Sequence, residues 1–505
     1  MAVGRGNQLL SLTMGAGKTV CAVASIEELV DNGALQQGLV FVPSALKYQW
    51  QEQIKRFTGL NALVIDGTKG QRDRLYKHVP KFRYTIIGYD SVVGKDWRII
   101  RDDLPFDFLV ADEATVMKGF TAARSKRIKF LSKRSDVNIA LTGQPIENRP
   151  EELFSIMEFV DPTVLGDFRV YDRAYIVRDG SGRAVRFRNL DKLNAKLADV
   201  FYRKTREEIK DQFPKVQTSM LPVRFTATEA ALHRMAAEYT LRGLKQAAEQ
   251  YGEGFNLAVH YGKEEAGGAA QRIRGEIMSG ILAMRLIADD PLLLRHSAMK
   301  YAKTKGKEGS SLADRWKAEG RLDRLPPISS KRALLVDRLR EIFEEYRGNK
   351  VVIFSFFKEM LNLVEEDTLP LARSVQFTGD MTALKKRDAM RQFKQDSATR
   401  LFLSSDAGGY GVDLPEANYL ISLDLPWSTG KMEQRDGRII RISSEWDHVD
   451  IMSLLVDESI EMWMWSKINA KRGVSSAFLD GKFDSAGRYT PDMRSLTKHL
   501  EEILG

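Results

Sequence analysis

The chain has a single cysteine, Cys21. An internal disulfide is therefore excluded, and the composition fits a reducing compartment such as the cytosol. Six histidines stand without the clustered His and Cys spacing of a zinc site, so none is expected. No apolar run approaches the roughly 20 residues that span a bilayer. The first residues lack the basic start, apolar run and small-residue cleavage site of a secretory signal. No membrane partner is expected, and the expected location is cytoplasmic. Neither charge sign dominates: 77 lysines and arginines face 68 acids, a net +9 over 505 residues. That excess is compatible with a nucleic-acid partner but does not require one. Short internal repeats are also missing.

The length suits roughly two to four domains. Hydrophobic residues make up 43% and charged residues 29%, as in ordinary globular proteins. The first third alternates short apolar strands with amphipathic helices: "GLVFVP", then "ALKYQWQEQIKRF", then "YTIIGYDSV", "FDFLVADEA" and "VNIALTG". Alternation of this kind implies a parallel sheet covered by helices. From about Leu190 to Met299 the pattern is mostly helical, and Tyr301–Ser330, rich in Lys, Gly and Ser, reads as a linker. Alternation returns in "KVVIFSFF", "TRLFLSSDA" and "NYLISLDLPW". The expected fold is α/β, with two parallel-sheet lobes at residues 1–165 and 331–505. A mostly helical insertion at 166–300 and a linker at 301–330 would separate them.

Against that background "SLTMGAGKTVCA" (Ser11–Ala22) stands out. It lies between a predicted strand, Gln8–Thr13, and a predicted helix, Thr19–Val30. Backbone N–H groups of Gly15, Ala16 and Gly17, at a helix N-terminus, would hold phosphate oxygens. Lys18 would reach the outer phosphates and Thr19 would ligate magnesium. The strict pattern places glycine where this chain has Leu12, so the match is to the shorter G-x-G-K-T form. A turn that happens to precede Lys-Thr is the plainer alternative. Asp112 and Glu113 end another strand at the sheet edge where ligands gather. There one acid can hold magnesium and the other can orient water. Thr142 and Gly143 follow a further strand and could sense the phosphate state. The second lobe has a glycine-rich turn at Gly408, Gly409 and Gly411, followed by "QRDGRIIR" with Gln434, Arg438 and Arg441. Two arginines three apart on a helix face one side and can reach a phosphoryl group across a cleft. Met117–Arg134 holds seven basic residues and no acid. It reads equally as a solvated helix face or as a phosphate contact.

The order of these pieces resembles the superfamily 2 helicases and translocases, and within them the Swi/Snf-like ATPases. "MGAGKT" resembles motif I, "VFVPSALKYQWQEQIKRF" motif Ia, "VADEAT" motif II, "LTGQPIEN" motif III and "QRDGRIIR" the arginine motif of the second lobe. "FYRKTREEI", "LAMRLIADDPLLL" and "SSKRALLVDRLREIF" resemble the segments between. The resemblance covers nearly the whole chain. It implies two RecA-like lobes closing on ATP and magnesium, with Lys18, Thr19 and Asp112 on the nucleotide and metal. Glu113 would act on the water, Arg438 and Arg441 would come from the other lobe, and Gln434 would couple nucleotide to closure. Pro43, Ser44, Thr142, Gly409 and Gly411 would lie toward nucleic acid. The departures are Leu12 and Thr13 before Met14, Thr115 after Asp-Glu-Ala, Gln144 in motif III, Asp413 for asparagine and Ile440 for histidine. The sequence opens a few residues before motif I, ahead of which the family carries an adenine-reading glutamine. The expected activity is ATP hydrolysis driving movement on DNA, with duplex preferred and single-stranded DNA or RNA left open as partners. A strand-separating helicase, a non-enzymatic DNA-binding protein with a decayed ATPase fold and a P-loop kinase are the other readings.

Overall fold

In the computed structural model, residues 6–120, 122–143, 145–146, 151–178, 184–252, 268–406, 412–427, 429–468 and 493–505 are described. The strands, in chain order, begin with β1 (Gln8–Leu12), β2 (Gly38–Val42), β3 (Leu63–Val64), β4 (Tyr84–Gly88), β5 (Phe108–Ala111) and β6 (Val137–Leu141). There follow β7 (Ile176–Arg178), β8 (Ala184–Phe187), β9 (Phe201–Lys204) and β10 (Lys215–Val223). The last are β11 (Val351–Ser355), β12 (Arg373–Phe377), β13 (Thr399–Ser405), β14 (Tyr419–Ser422) and β15 (His448–Val456). One parallel sheet has the order β3-β4-β2-β5-β6-β1-β9 and a second has β10-β15-β14-β11-β13-β12; β7 and β8 form a small antiparallel pair. These are the two parallel lobes that the alternation implied, each a RecA-like α/β layer.

Side-chain alternation along the strands feeds two cores per sheet. Leu9 and Phe41 face one core with Leu153, Phe154 and Met157. Leu10, Val40 and Val42 face the other with Val23, Ile26, Trp50 and Ile54. These last four come from helix α1 (Lys18–Asp31) and helix α2 (Lys47–Thr58). In the second sheet Val351 and Ile353 face one core, Val352 and Phe354 the other. Both faces are covered, which is why the central strands read as continuous apolar runs.

The stretch between the lobes is mostly helical, as its composition implied, but it also holds strands. β9, inside 166–300, pairs with β1, and β10 pairs along its whole length with β15. Both sheets are therefore completed by strands from a region whose composition looked mostly helical. The helices Ala227–Tyr251 and Gly268–Asp289 do pack together, but their Leu232, Ala236, Ile277 and Met284 share a core with Ile353 and Leu454 of the second sheet. Within 301–330, read as a linker, the helix Ser311–Ala318 buries Leu312, Ala313 and Trp316, and the Ser310 side chain caps it. Three apolar residues at helical spacing suffice to dock it, although lysine and glycine dominate the local composition.

Charge is also buried. Lys331, fully enclosed, donates to Asp289 at 2.9 Å, to Glu461 at 2.9 and 3.0 Å and to the Leu423 carbonyl at 2.6 Å. It ties the end of Gly268–Asp289 to a strand end and to the segment after β15. Burial raises the Asp289 and Glu461 carboxyls, and Lys331 works against that rise. Lys331→Met would leave both acids enclosed without a cation. It should destabilise the second lobe by about 3–5 kcal/mol, read by chemical denaturation. A stability equal to the parent's would show that the acids are held neutral without it.

Candidate active site

The glycine loop takes its shape from two left-handed residues, Gly15 (φ 77°) and Gly17 (φ 78°), which a side chain would strain. It delivers Lys18 and Thr19 to the first turn of α1. Lys18 Nζ donates to the Leu12 carbonyl at 3.2 Å. Burial pushes its ammonium below the usual lysine value, against the pull of Glu113 and Asp112. A cation beside two carboxylates at the wall of a cavity is well placed to take a phosphate charge.

Asp112 lies one residue beyond β5. Its amide donates to the Phe41 carbonyl at 2.9 Å, which fixes its height at the sheet edge. Trp50 Nε1 donates to Asp112 Oδ2 at 2.8 Å, the Glu113 amide to Oδ1 at 2.9 Å, and the Tyr89 hydroxyl to the Asp112 carbonyl at 2.6 Å. Burial nevertheless raises the Asp112 carboxyl above its ordinary value, with Trp50 and Lys18 opposing. An enclosed carboxylate that still lacks compensation fits a divalent cation. Thr19 lines the same cavity, so Thr19 and Asp112 are a fitting pair of magnesium ligands. Glu113 follows in left-handed backbone at φ 51°, a costly state for a residue with a side chain. That twist turns the chain out of the strand immediately after Asp112.

The second lobe supplies the facing wall. Arg438 is buried and donates to the Val412 carbonyl at 3.3 Å. Arg441 pairs with Asp413, and its Nε has no hydrogen-bond partner among the described residues. Asp413 in turn accepts from Gln49 Nε2 of α2 at 3.0 Å, a side-chain bond from lobe to lobe. One cavity of ≈430 Å³ is lined by Gly15, Ala16, Gly17, Lys18 and Thr19 together with Asp112, Glu113, Asp413, Arg438 and Arg441.

The remaining expected site residues are placed differently. Gln434 is half-buried on the helix Thr429–Asp436 and does not line this cavity. Pro43 and Ser44 follow β2 and also lie outside it. Thr142, expected toward nucleic acid, is 1% exposed, and its amide donates to the Leu10 carbonyl at 3.1 Å. Enclosed against β1, it has no open face to offer a strand. Gly143 lies beside Lys18: a methyl group there would stand 3.9 Å from Nζ. Gly409, Gly411 and Gln144 lie outside the described residues. The basic run Met117–Arg134 is largely engaged within the fold. Arg124 pairs with Asp90 at 2.6 Å and Lys129 with Glu158 at 2.8 Å. Arg127 and Arg134 cover the rings of Trp97 and Phe106.

A model of the SNF2-related domain matches residues 4–291. The chain belongs to the SNF2-related family. A helicase conserved C-terminal domain matches residues 334–443 of this SNF2-related chain, within the second lobe. Hydrolysis of ATP is the family's chemistry, and the residues lining the cleft suit it. Among similar proteins is the "DNA annealing helicase and endonuclease ZRANB3" of Mus musculus, 24% identical over 491 residues, covering 94% of this chain and 39% of that protein. The "DNA repair and recombination protein RAD54B" of Mus musculus is 24% identical over 518 residues, covering 95% and 54%. The SNF2-related chain thus spans about half, or less, of these relatives. A solved "Sulfolobus solfataricus SWI2/SNF2 ATPase core in complex with dsDNA" is 21% identical, covering 94% of this chain and 89% of that one, with a TM-score of 0.39. No described helix is long and apolar enough to cross a membrane.

Trp50, Gln49 and Tyr89 were not singled out by the sequence. Trp50→Phe keeps a ring in its core but removes the donor to Asp112. Hydrogen bonds to a buried charge are worth about 1.5–3 kcal/mol, so ATP turnover should fall roughly tenfold or more. Steady-state turnover of the folded variant checks this; parent-like turnover would show that Asp112 is held without Trp50.

Proposed function

We propose that this SNF2-related chain is a DNA-dependent ATP hydrolase that moves along duplex DNA. The observation that carries the reading is the shared cavity, in which Lys18, Asp112 and Glu113 of one lobe face Arg438 and Arg441 of the other. Lys18 binds the outer phosphates. Glu113 orients the attacking water and draws on its proton, and Arg441 neutralises charge that develops on the transferring phosphoryl group. Magnesium, held by Thr19 and Asp112, would supply further charge stabilisation on the phosphate oxygens. Because the two arginines come from the second lobe, turnover depends on lobe geometry, and nucleic acid that alters that geometry alters the rate.

The DNA partner is supported by the names of the two relatives, a DNA annealing helicase and endonuclease and a DNA repair and recombination protein. Pro43, Ser44 and the Gly409–Gly411 turn are proposed to face it, with Gln434 in the coupling between lobes. Strand pairing supports placing the change of lobe between β9 and β10 rather than at residue 165. Tracking on phosphates predicts salt-sensitive binding with little sequence preference.

The test is ATP turnover by the full chain alone, with duplex DNA, with single-stranded DNA and with RNA. Duplex DNA should stimulate most, and Glu113→Gln should bind ATP yet turn over at least a hundredfold more slowly, on the order expected for a lost general base. Stimulation only by single strands or RNA would favour strand separation. A parent rate for Glu113→Gln would remove the role assigned to that carboxylate. Lys18→Ala should abolish ATP binding, measured at equilibrium; retained affinity would mean the phosphates lie elsewhere.

A further inference from the structure

The cleft is longer than its phosphate machinery. One face of α2 lines it from end to end: Gln49, Trp50, Gln53, Arg56 and Phe57, at helical spacing. The inner end is pinned, since Trp50 is bonded to Asp112 and Gln49 to Asp413. Seven residues on, Phe57 stands about 10 Å farther along the helix axis. That is the distance scale on which a nucleoside extends from its triphosphate. Phe57 is 44% exposed. The Arg56 guanidinium lies 5.4 Å from the Phe57 ring centroid and makes no ion pair among the described residues. The Gln53 amide, half-buried between the two ends, has no hydrogen-bond partner among the described residues. Across the cleft, Ile442 of the second lobe, 42% exposed, lines the same cavity.

We propose that Gln53, Arg56 and Phe57 form the nucleobase subsite of the cleft. Phe57 and Arg56 offer the π face and cation against which a purine ring stacks. Gln53 reads the ring edge. Its amide has one acceptor and two donors, which match the amino group and N7 of adenine; guanine presents two acceptors on that edge and satisfies only half of the pair. The subsite thus favours ATP over GTP, from a helix that also carries Trp50 to the metal-binding acid. This inference rests on the nucleotide reading of the cleft.

Equilibrium calorimetry on the full chain tests it, using three probes with magnesium: the β,γ-imido analogues of ATP and GTP, and inorganic tripolyphosphate. The parent should bind the ATP analogue more tightly than the GTP analogue. Phe57→Ala should weaken both nucleotides roughly tenfold and leave tripolyphosphate unchanged. Gln53→Ala should narrow the ATP-to-GTP ratio by weakening only the ATP analogue. Equal binding of all probes by parent and variants would overturn the subsite, as would a loss of tripolyphosphate binding in step with the nucleotides. A parent that binds neither nucleotide nor tripolyphosphate would overturn the ATP reading itself, and the subsite with it.

Discussion

The second lobe presses its backbone against the glycine loop of the first. The Ile442 amide approaches the Gly15 carbonyl at 3.4 Å, and a methyl group on Gly15 would come within 2.5 Å of the Ile440 carbonyl oxygen. No side chain can stand between them. This approach puts Arg441 into the same cavity as Lys18, although the two are far apart in sequence and belong to separate sheets. Gln49 reaching Asp413 and Asp413 pairing with Arg441 fasten the same junction at the level of side chains. The glycine at position 15 therefore serves two constraints, a left-handed turn and contact with the other lobe.

Buried charge ties the strand ends of the second lobe to the helix that leads to the cleft arginines. Arg435, between Gln434 and the two cleft arginines, donates to Asp406 at 2.6 Å and to Asp424 at 2.9 Å. Asp424 also accepts from the Ser355 hydroxyl at 2.7 Å and the Phe356 amide at 2.6 Å. Burial would raise that carboxyl, but Arg435, Arg285 and Ser355 outweigh it and hold it below its ordinary value. The ends of β11, β13 and β14 are thus bound to one guanidinium on the helix that leads to Arg438. Removing any partner would leave the others charged and enclosed, the costly outcome for a buried network. Lys331 does the same work on the opposite side of β14.

Local signals were legible in the sequence. The glycine loop, the Asp112–Glu113 strand end and the strand-helix alternation each depend on neighbours in the chain; β1 and α1 lie within a residue of their expected places, whereas "NYLISLDLPW" runs on well past Ser422, where β14 ends. Signals that depend on topology were not. Trp50 reaches Asp112 because β2 lies beside β5, an adjacency that no spacing encodes. The basic run from Met117 to Arg134 looked available for phosphate because its partners, Asp90, Trp97, Phe106 and Glu158, lie elsewhere in the chain. β9 and β10 were hidden inside a region of helical composition, since each gains its strand identity from a partner in a distant segment. Asp413 departs from the Swi/Snf-like pattern, but its bonds to Gln49 and Arg441 depend on the meeting of the two lobes.

One cleft is lined from both lobes. The most direct test that both act in hydrolysis is Arg441→Ala, with ATP affinity at equilibrium and single-turnover hydrolysis measured on the same preparation. A guanidinium acting on the transferring phosphoryl group from the far wall predicts near-parent affinity and a hydrolysis rate lower by roughly a thousandfold. Parent-like hydrolysis by the variant would contradict the account and leave the first lobe as the whole of the active site.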